Sequence, residues 1–421
     1  MKHRTMPIKN LVQRHRNFFI LIIFLIGLTA LFRIDFSKTK NVVLYVKEEF
    51  KCEDSKLKKS LEYRGKYLVL NNYVQATRTY ENSESVTLTA PGDFRFLDNI
   101  LPLVDRWRGP ISVALYAPGD DFFATMESVA YLRKCTTPFV KEFVTFHLFF
   151  DVDHVPTVGN APLLEAYIDD FDCTKQPPYE TVSDYGTYKE THRLYYPINV
   201  ARNVAKLNAQ THFVFPSDIE LYPTRKFIPK FLNFVKQNPQ YFEEKSKNVY
   251  VLPIFEILAE HTIPESKKEL QNMYKNATAF GFHVNVCPRC HKIPKQQKWM
   301  DAEETDGLSI FASTKRQGEH AVWEPFFVCT QKEPLWDERL NWEGQGNKMC
   351  QAFHLCILDY NFLVFDNAFL IHKPGVKKKK IQNIKYKDQQ KINNRILKHI
   401  QDELKSIYGT SMGDTKKCLT H

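Results

Sequence analysis

The sequence predicts an α/β fold built on a mostly parallel central sheet. Apolar runs typical of buried strands alternate with helical runs between residues 111 and 237, as expected for parallel strands covered by helices on both faces. The 421 residues suffice for one large domain or two closely joined ones, and an apolar content of 43% indicates a folded core. Ligands of such a sheet bind at the carboxyl ends of its strands.

An apolar run, FFILIIFLIGLTALF at residues 18–32, follows five positive side chains that no acidic residue balances. Its length matches the core of a signal peptide and falls short of the about 20 residues that usually span a bilayer, whereas the preceding charge favours an N-terminus kept in the cytoplasm. We therefore expect a cytoplasmic tail over 1–17, a signal-anchor transmembrane helix over 18–32 and a lumenal body. A cleaved signal is the alternative.

A stem over 33–85 is expected to lead into a domain that spans 86–421 and ends in a basic helix. The predicted strands of this domain are 111–118, 143–150, 211–216, 248–257, 325–330 and 361–372, and the predicted helices are 121–135, 198–210 and 226–237. Ile392, Ile396, Ile400 and Leu404 recur at every fourth position, which predicts a C-terminal helix docked on the outside of the fold.

The formal charge of +10 is concentrated at the two ends of the chain. Residues 1–16 and 373–421 hold the excess of lysine and arginine, so the body between them is mildly acidic. The run Lys377–Lys380 is interpreted as a solvated segment, because the stacked aromatics or glycine-rich signature of a nucleic-acid surface do not accompany it. We therefore expect no nucleic-acid partner.

Nine cysteines in a lumenal body are enough for a few disulfides and one leftover thiol. Cys135 and Cys173 flank one strand-and-loop unit and could form a bridge. The motif CPRCH at 287–291 fits a haem attachment site or half of a zinc site, but a disulfide or plain structural role is favoured because a lumenal compartment oxidises such pairs. The sequon at Asn276 predicts an N-linked glycan.

Two stretches, FFDVDHVPT and the later VFPSDIELYPT, each end a strand in carboxylates at positions i and i+2. Such carboxylates point to one face of an extended segment and can share one divalent cation. The later pair, Asp218 and Glu220, follows a complete helix-then-strand unit and is favoured as the metal site. Asp151 and Asp153 are interpreted as loop solvation or turn capping.

The motifs YYPINVARNVAK, FVFPSDIELYPT, WEPFFV, WDERLNWEGQGNK and VFDNAFLIHKPG occur in this order between residues 90 and 375. Their series resembles that of glycosyltransferase family 49, the family of dystroglycan-type glucuronyltransferases. The resemblance implies a GT-A fold, a UDP-sugar donor, a manganese ion with magnesium as the alternative, and a single-pass type II protein held in the Golgi membrane by residues 18–32. It also implies a glycan acceptor on a glycoprotein and a second glycosyltransferase as a partner.

The resemblance assigns the metal to three residues. Asp218 and Glu220 stand at the family's Asp-x-Asp motif, and His372 stands at the late histidine of the metal shell. Glu220 replaces an aspartate, and its extra methylene moves the carboxylate. Oxygen ligands with one imidazole suit manganese. Taken alone, His372 is more typical of a core histidine with satisfied hydrogen bonds.

The resemblance also implies contacts to the donor. Asp218 reaches the ribose and diphosphate through the metal, and Arg202 and Asn203 of the RN helix suit a phosphate or sugar hydroxyls. Tyr116 and Ala117, at the end of the first predicted sheet strand, lie where GT-A enzymes bind uracil. Arg202 could instead be an exposed helix charge.

The proton acceptor is expected in the late loop. If transfer inverts the anomeric centre, as the resemblance implies, a carboxylate must take the proton of the acceptor hydroxyl. Asp337 and Glu338 are the candidates, flanked by Trp336 and Trp342, whose faces can stack on sugar rings, and Glu324 is the rival. Alternatively the two candidates pair at the surface with Arg339 or Lys348.

The expected function is a metal-dependent, inverting glycosyltransferase of the Golgi lumen. It would move a sugar, with glucuronic acid as the best match, from a UDP-sugar to a glycan acceptor. One alternative is a catalytically silent, lectin-like member of the same fold, which the substitution at Glu220 favours. A lumenal scaffold protein is a second alternative, but it would not need the carboxylate and histidine set.

Overall fold

The computed structural model describes residues 45, 47, 50, 57–157, 164–182, 186–243, 245–376, 386–409 and 415–418. The predicted cytoplasmic tail, the predicted transmembrane helix over 18–32 and the run Lys377–Lys380 lie outside these residues. Within them, no helix combines the length and the apolar character needed to cross a membrane. The longest described helix, Lys387–Tyr408, is rich in charged side chains. This finding contradicts the expected location in the Golgi membrane, which we do not retain.

Fourteen strands form two sheets in the described part of the chain. They are β1 (Ser60–Arg64), β2 (Tyr67–Val74), β3 (Val86–Gly92), β4 (Ile111–Tyr116), β5 (Val144–Asp151), β6 (Phe213–Pro216), β7 (Leu221–Pro223), β8 (Asn248–Leu252), β9 (Ile254–Ile257), β10 (Ala279–Gly281), β11 (Ser309–Thr314), β12 (Phe326–Thr330), β13 (Asn361–Asp366) and β14 (Leu370–His372).

The larger sheet has the strand order β1-β2-β5-β4-β3-β6-β12-β8-β13-β11. Its centre, from β5 to β6, is parallel, and so is the pair of β8 with β13, whereas the other neighbours are antiparallel. The predicted parallel arrangement is thus confirmed at the centre and at the β8–β13 pair, and the sheet as a whole is mixed. At one edge, the tight turn at Gly65 and Lys66 joins β1 to β2, and so short a connection permits only an antiparallel pair.

The sheet begins earlier in the chain than the sequence predicts. Residues 60–74, within the segment expected to be a stem, form β1 and β2, and β2 pairs with β5. The first parallel strand is β3, so Tyr116 ends the second parallel strand instead of the first. The sequence of β3, VTLTAPG, mixes threonine with apolar residues and lacks the continuous apolar run that marks its neighbours.

Helices cover the sheet and form its outer layers. The described helices are α1 (Ile100–Trp107), α2 (Asp121–Cys135), α3 (Pro138–Phe143), α4 (Leu164–Asp169), α5 (Pro178–Thr181), α6 (Tyr188–Thr191), α7 (Ile198–Leu207), α8 (Phe227–Gln237), α9 (Lys267–Lys275), α10 (Gln296–Asp301), α11 (Met349–Ile357), α12 (Lys387–Tyr408) and α13 (Thr415–Cys418).

Helix α7 packs on one face of the parallel strands. Its Val200 and Val204, one helical turn apart, bury against Tyr116 and Phe149 of the sheet. The opposite face carries the main apolar core, to which α1, α2 and α8 contribute. The parallel centre is therefore covered on both faces, as the apolar runs predict.

The predicted C-terminal helix is confirmed as α12. Ile400 and Leu404 are buried with Trp336 and Leu340 of the late loop, while Ile392 at the start of the apolar row stays partly exposed. The helix therefore docks on the segment that contains the candidate proton acceptors.

The possible Cys135–Cys173 bridge and the disulfide use of the CPRCH motif are both confirmed. The expected single leftover thiol is wrong, because two described cysteines, Cys329 and Cys350, are free and buried. Asn276 is exposed at the carboxyl end of α9, and its glycan stays a prediction. Three disulfides are formed among the described residues, Cys135–Cys173, Cys287–Cys290 and Cys356–Cys418.

Candidate active site

The predicted metal-binding pair lies on the short connection between the two sheets. Asp218 and Glu220 follow β6 of the larger sheet and precede β7 of the smaller one, at the carboxyl edge of the parallel strands. Leu221 of β7 pairs with His372 of β14, and the Lys373 N–H donates to the Glu220 carbonyl at 2.8 Å. The fold thus brings the carboxylate pair and the late histidine together from distant parts of the chain.

Two cations hold the Asp218 carboxylate. Its Oδ1 accepts a hydrogen bond from Arg202 Nη2 at 3.2 Å, and its Oδ2 accepts one from Lys348 Nζ at 2.5 Å. Burial by itself would raise the pKa of Asp218, but the charges and hydrogen bonds of Lys348 and Arg202 hold that pKa well below its usual range. Asp218 is therefore ionised at neutral pH, as a metal ligand must be.

Arg202 is buried on α7 and connects three segments. Its Nη1 donates to Asn199 Oδ1 at 2.8 Å and to Asn347 Oδ1 at 2.7 Å, while Nη2 reaches Asp218. Asn199 in turn donates to the Asp337 carbonyl at 2.8 Å. A planar guanidinium with fixed donors suits such a bridge. The alternative of an exposed helix charge is therefore wrong.

A small pocket of about 30 Å³ lies beside Asp218. Its polar lining includes Arg202, Lys348 and Glu324, and apolar walls come from Phe326, Trp336 and neighbours. Burial raises the pKa of Glu324, although the charges of Lys348 and Arg202 oppose that rise. The Lys348 ammonium also lies 4.0 Å from the centre of the Phe326 ring, a cation–π contact.

Lys348 is the residue of this site that sequence reasoning misses. The sequence presents it as a possible surface partner of Asp337 or Glu338, whereas in the structure it pairs with Asp218. Its position carries one local signal, since the lysine follows the turn GQGN and directly precedes the apolar helix α11. Which carboxylate it meets depends on where the folded chain places the start of α11 relative to the segment after β6.

The described residues contain no group of three or more His, Cys, Asp and Glu side chains arranged to hold a metal ion. Arg202 and Lys348 engage the Asp218 carboxylate instead. The donor types, two carboxylates on the β6–β7 connection (Asp218 and Glu220) and an imidazole at the end of β14 (His372), nevertheless fit a divalent cation such as manganese. The metal assignment stays a prediction.

Three histidine rings surround Phe282 next to this site. The ring centres of His283, His291 and His372 lie 3.7, 4.8 and 5.1 Å from that of Phe282. Burial lowers the pKa of His291 to about 3, so its ring is neutral, and its Nδ1 donates to the Glu324 carbonyl at 3.0 Å. The disulfide within the CPRCH motif excludes its cysteines as haem or zinc ligands.

Asn203, the neighbour of Arg202 on α7, positions the late loop. Its Nδ2 donates to the Trp336 carbonyl at 2.8 Å and to Glu338 Oε1 at 2.6 Å, and its Oδ1 accepts from the Trp336 N–H at 3.0 Å. Arg64 Nε donates to the same Glu338 oxygen at 2.6 Å. The loop that carries Glu338 is therefore fixed from both sides.

The two predicted proton acceptors differ in their partners. Both carboxylate oxygens of Asp337 accept hydrogen bonds from Arg339, which also pairs with Glu403 of α12. The surface pairing of Asp337 with Arg339 is thus confirmed. Glu338 pairs with Arg64 instead of Lys348.

The segment after these acids is clamped by α12. Asn393 Nδ2 donates to the carbonyls of Asn341 and Gln345 at 3.0 and 2.9 Å. A Cβ at Gly344 would lie 2.1 Å from the Asn393 side chain, so glycine permits this close approach. Trp342 on the clamped turn is 51% exposed, whereas Trp336 is buried. Of the two tryptophans, Trp342 offers the open face expected for a sugar ring.

A groove of about 630 Å³ lies at the carboxyl ends of β4 and β5. Tyr116 Oη donates there to Asp151 Oδ2, and Asp151 Oδ1 pairs with Lys66 Nζ at 2.7 Å. The Asp151 carboxylate is buried and bound by these two partners, as a buried charge requires, and it caps no turn, so its expected role in solvation or turn capping is wrong. Asp153 is exposed to solvent, as expected. Ala117 is buried, and its N–H donates to a β5 carbonyl at 2.9 Å.

Glu338 and Asp337 line the same groove as Tyr116. The predicted proton acceptors and the predicted uracil contact therefore line the same groove, so a bound nucleotide and an acceptor sugar would overlap there. Glu324 lies instead in the separate pocket beside Asp218.

Sequence comparison relates this chain to known glycosyltransferases. The sequence model of the family described as glycosyl-transferase for dystroglycan matches residues 85–409. A beta-1,4-glucuronyltransferase 1 from Danio rerio is 29% identical over 370 residues, which cover 82% of this chain and 81% of that protein. The Mus musculus protein of the same name is 25% identical over 357 residues, covering 83% and 82%.

A further relative is xylosyl- and glucuronyltransferase LARGE1 from Homo sapiens. It is 29% identical over 224 residues, which cover 53% of this chain and 28% of that protein. The family model matches most of the chain, and the two beta-1,4-glucuronyltransferases are matched over most of their own length. This protein therefore belongs to glycosyltransferase family 49 and is a glycosyltransferase.

Proposed function

We propose that this glycosyltransferase moves a glucuronosyl group from a UDP-linked donor to a hydroxyl of a glycan acceptor, with inversion and with the help of a divalent metal ion. The names of the relatives support the donor class. The observation that supports the proposal is the β7–β14 pairing, which joins the end of the Asp218-x-Glu220 segment to the strand of His372, while Arg202 and Lys348 bind the Asp218 carboxylate.

Asp218, Glu220 and His372 would hold the metal ion, manganese with magnesium as the alternative. When bound, the ion would neutralise the negative charge that develops on the departing diphosphate. Arg202 holds the Asp218 carboxylate in a fixed position, and its own charge lies at the same sheet edge. Such preorganised positive groups stabilise charge that develops in a transition state.

The proton acceptor that we favour is Glu324. It lines the pocket beside Asp218, and burial raises its pKa towards the pH range in which a general base is most effective. Asp337 and Glu338 remain candidates, but they line the neighbouring groove, where Arg339 occupies both oxygens of Asp337. Kinetic comparison of variants at Glu324, Asp337 and Glu338 therefore decides which carboxylate takes the proton.

During transfer, the acceptor oxygen forms a bond to the anomeric carbon while its proton passes to the carboxylate. The bond between the anomeric carbon and the diphosphate oxygen breaks, and its electron pair leaves with UDP. In this scheme the groove at Tyr116 takes the nucleoside. The exposed face of Trp342 is available to a sugar ring of the acceptor.

A donor screen with the full-length chain tests the proposal. UDP release is measured for UDP-glucuronic acid, UDP-glucose, UDP-xylose and UDP-N-acetylglucosamine, with a panel of aryl glycosides as acceptors, in manganese and in EDTA. We expect release that needs the ion and is fastest with UDP-glucuronic acid. Equal release in EDTA would contradict the metal dependence, and a faster neutral donor would contradict the donor assignment.

A further inference from the structure

The surroundings of the small pocket beside Asp218 contain more positive than negative charge. Arg202 and Lys348 line it with Asp218 and Glu324, and Arg316 lies close enough to act electrostatically on Glu324. Two cations and two carboxylates therefore line the pocket, and Arg316, outside its lining, adds a third cation to the surroundings. A buried surplus of positive charge is costly unless an anion compensates for it.

Arg316 shows this surplus most clearly. It is 1% exposed, its Nε donates to the Trp323 carbonyl at 2.7 Å, and its Nη1 has no hydrogen-bond partner among the described residues. Burial lowers the pKa of Arg316 to about 10, so the guanidinium remains charged at neutral pH. Arg316 does not line the pocket, and its contribution there is charge instead of contact.

Of the two cations that line the pocket, Lys348 has donors to spare. Arg202 uses its terminal donors in three hydrogen bonds, to Asn199, Asn347 and Asp218. The Lys348 ammonium has three N–H groups, and Asp218 is its one hydrogen-bond acceptor among the described residues. The Phe326 ring, 4.0 Å away, fixes the ammonium in place.

The size of the pocket limits what the remaining donors can bind. A cavity needs about 10–15 Å³ to hold one water-sized group, so about 30 Å³ holds roughly two. Two oxygen-sized atoms correspond to a carboxylate. A nucleoside or a whole sugar ring is far too large, and the ring would have to lie outside with its carboxylate pointing in.

We propose that Lys348 determines donor specificity by binding the carboxylate of a uronic-acid donor sugar in the pocket formed with Phe326, Glu324 and Asp218. This inference rests on the proposed function, because it takes the site of the UDP-sugar as given. It adds the residue that separates a uronic acid from the matching neutral hexose. A buried charge pair of this kind gives strong discrimination, because the neutral sugar leaves the ammonium without its second partner.

The test compares two donors that differ at a single carbon. UDP-glucuronic acid and UDP-glucose, together with UDP, are titrated into the full-length protein in manganese, and kcat/KM is measured for both donors. In the wild-type protein we expect UDP-glucuronic acid, but not its methyl ester, to be favoured over UDP-glucose. In Lys348→Met that preference should fall on the order of a hundred-fold, whereas any weakening of UDP binding through the Asp218 site should be shared by both donors.

The matched control is Lys236→Met, which alters an exposed lysine on α8 and should change neither the donor preference nor the affinity for UDP. Equal losses for UDP, UDP-glucose and UDP-glucuronic acid in Lys348→Met would place the lysine on the diphosphate and overturn the inference. A wild-type protein that does not distinguish UDP-glucuronic acid from its methyl ester would overturn it without any variant, so the test survives a Lys348→Met protein that fails to fold. If the wild-type protein binds UDP but favours UDP-glucose, the inference about Lys348 fails, while the proposed metal-dependent transferase activity is not contradicted. If it binds neither UDP nor any UDP-sugar in manganese, the proposed function fails first.

Discussion

The backbone N–H of Lys373 donates a hydrogen bond of 2.8 Å to the carbonyl oxygen of Glu220. This bond joins the connection after β6 to the end of β14, the strand of His372. In paired strands a shift of register by one residue turns every side chain to the opposite face. The proposed metal set therefore depends on one pairing between segments that are far apart in the sequence.

The metal site gives the first prediction. We expect Asp218→Asn, Glu220→Gln and His372→Ala each to weaken manganese-dependent binding of UDP, by at least the roughly 10–100-fold that loss of an outer-shell partner costs a metal site. Each change removes one ligand where the repulsion of the diphosphate must be offset. Calorimetric titration of UDP with manganese and with EDTA measures the effect.

The control for this prediction is Asp153→Asn, which alters an exposed aspartate of the earlier Asp-x-Asp motif. Asp151 is unsuitable because its carboxylate is buried against Lys66 and Tyr116. If Asp153→Asn removed the metal dependence while Asp218→Asn kept it, the metal site would lie elsewhere.

The proton acceptor gives the second prediction. Glu324→Gln should lower turnover by roughly 10²- to 10⁴-fold, the usual contribution of a general base, with UDP affinity nearly unchanged. Asp337→Asn and Glu338→Gln remove ion pairs of the groove and should act mainly on nucleotide affinity or stability. Steady-state kinetics and UDP titration of the three variants separate these effects. A collapse of turnover in Glu338→Gln beside full activity in Glu324→Gln would reassign the base.

The pH dependence of stability gives the third prediction. Burial raises the pKa of Glu324, so the folded protein holds this proton more tightly than the unfolded chain does. Folding stability should therefore fall as pH rises from the ordinary glutamate range through the raised pKa. Glu324→Gln cannot lose a proton and should flatten that part of the profile. Thermal melting of both proteins between pH 4 and pH 8 shows the difference, and parallel profiles would argue against a raised pKa.

The clamp on the late loop gives the fourth prediction. Asn393→Ala leaves the Asn341 and Gln345 carbonyls without their donor and should lower the free energy of unfolding by about 1–3 kcal/mol. Asn394→Ala, the exposed neighbour on the same helix, is the control and should change it by less than about 0.5 kcal/mol. Urea denaturation measures both. Equal stability of the two variants would mean that α12 does not hold the loop through Asn393.

Much of the fold is visible in the sequence. The apolar runs at β4, β5 and β6 predict buried parallel strands, and the apolar row that ends in Ile400 and Leu404 predicts the docked helix α12. These patterns are local, because burial of one face imposes a period of about two residues in a strand and 3.6 in a helix. The apolar pattern does not predict the hairpin of β1 and β2, because its edge strand SLEYR is exposed and needs no apolar run.

The sequence by itself determined the parallel centre of the sheet, the α12 helix and, through its ordered motifs, the family. The Cys135–Cys173 bridge, which the sequence left open, was decided by the structure. The tertiary structure alone decided the partners of the charged side chains. Lys348 meets Asp218 instead of Asp337 or Glu338, Asp151 meets Lys66 and Tyr116, and Glu324 shares a pocket with Asp218. The physical reason is that a helix or strand is set by neighbours within a few residues, whereas an ion pair forms between whichever charges the packed elements bring within about 4 Å.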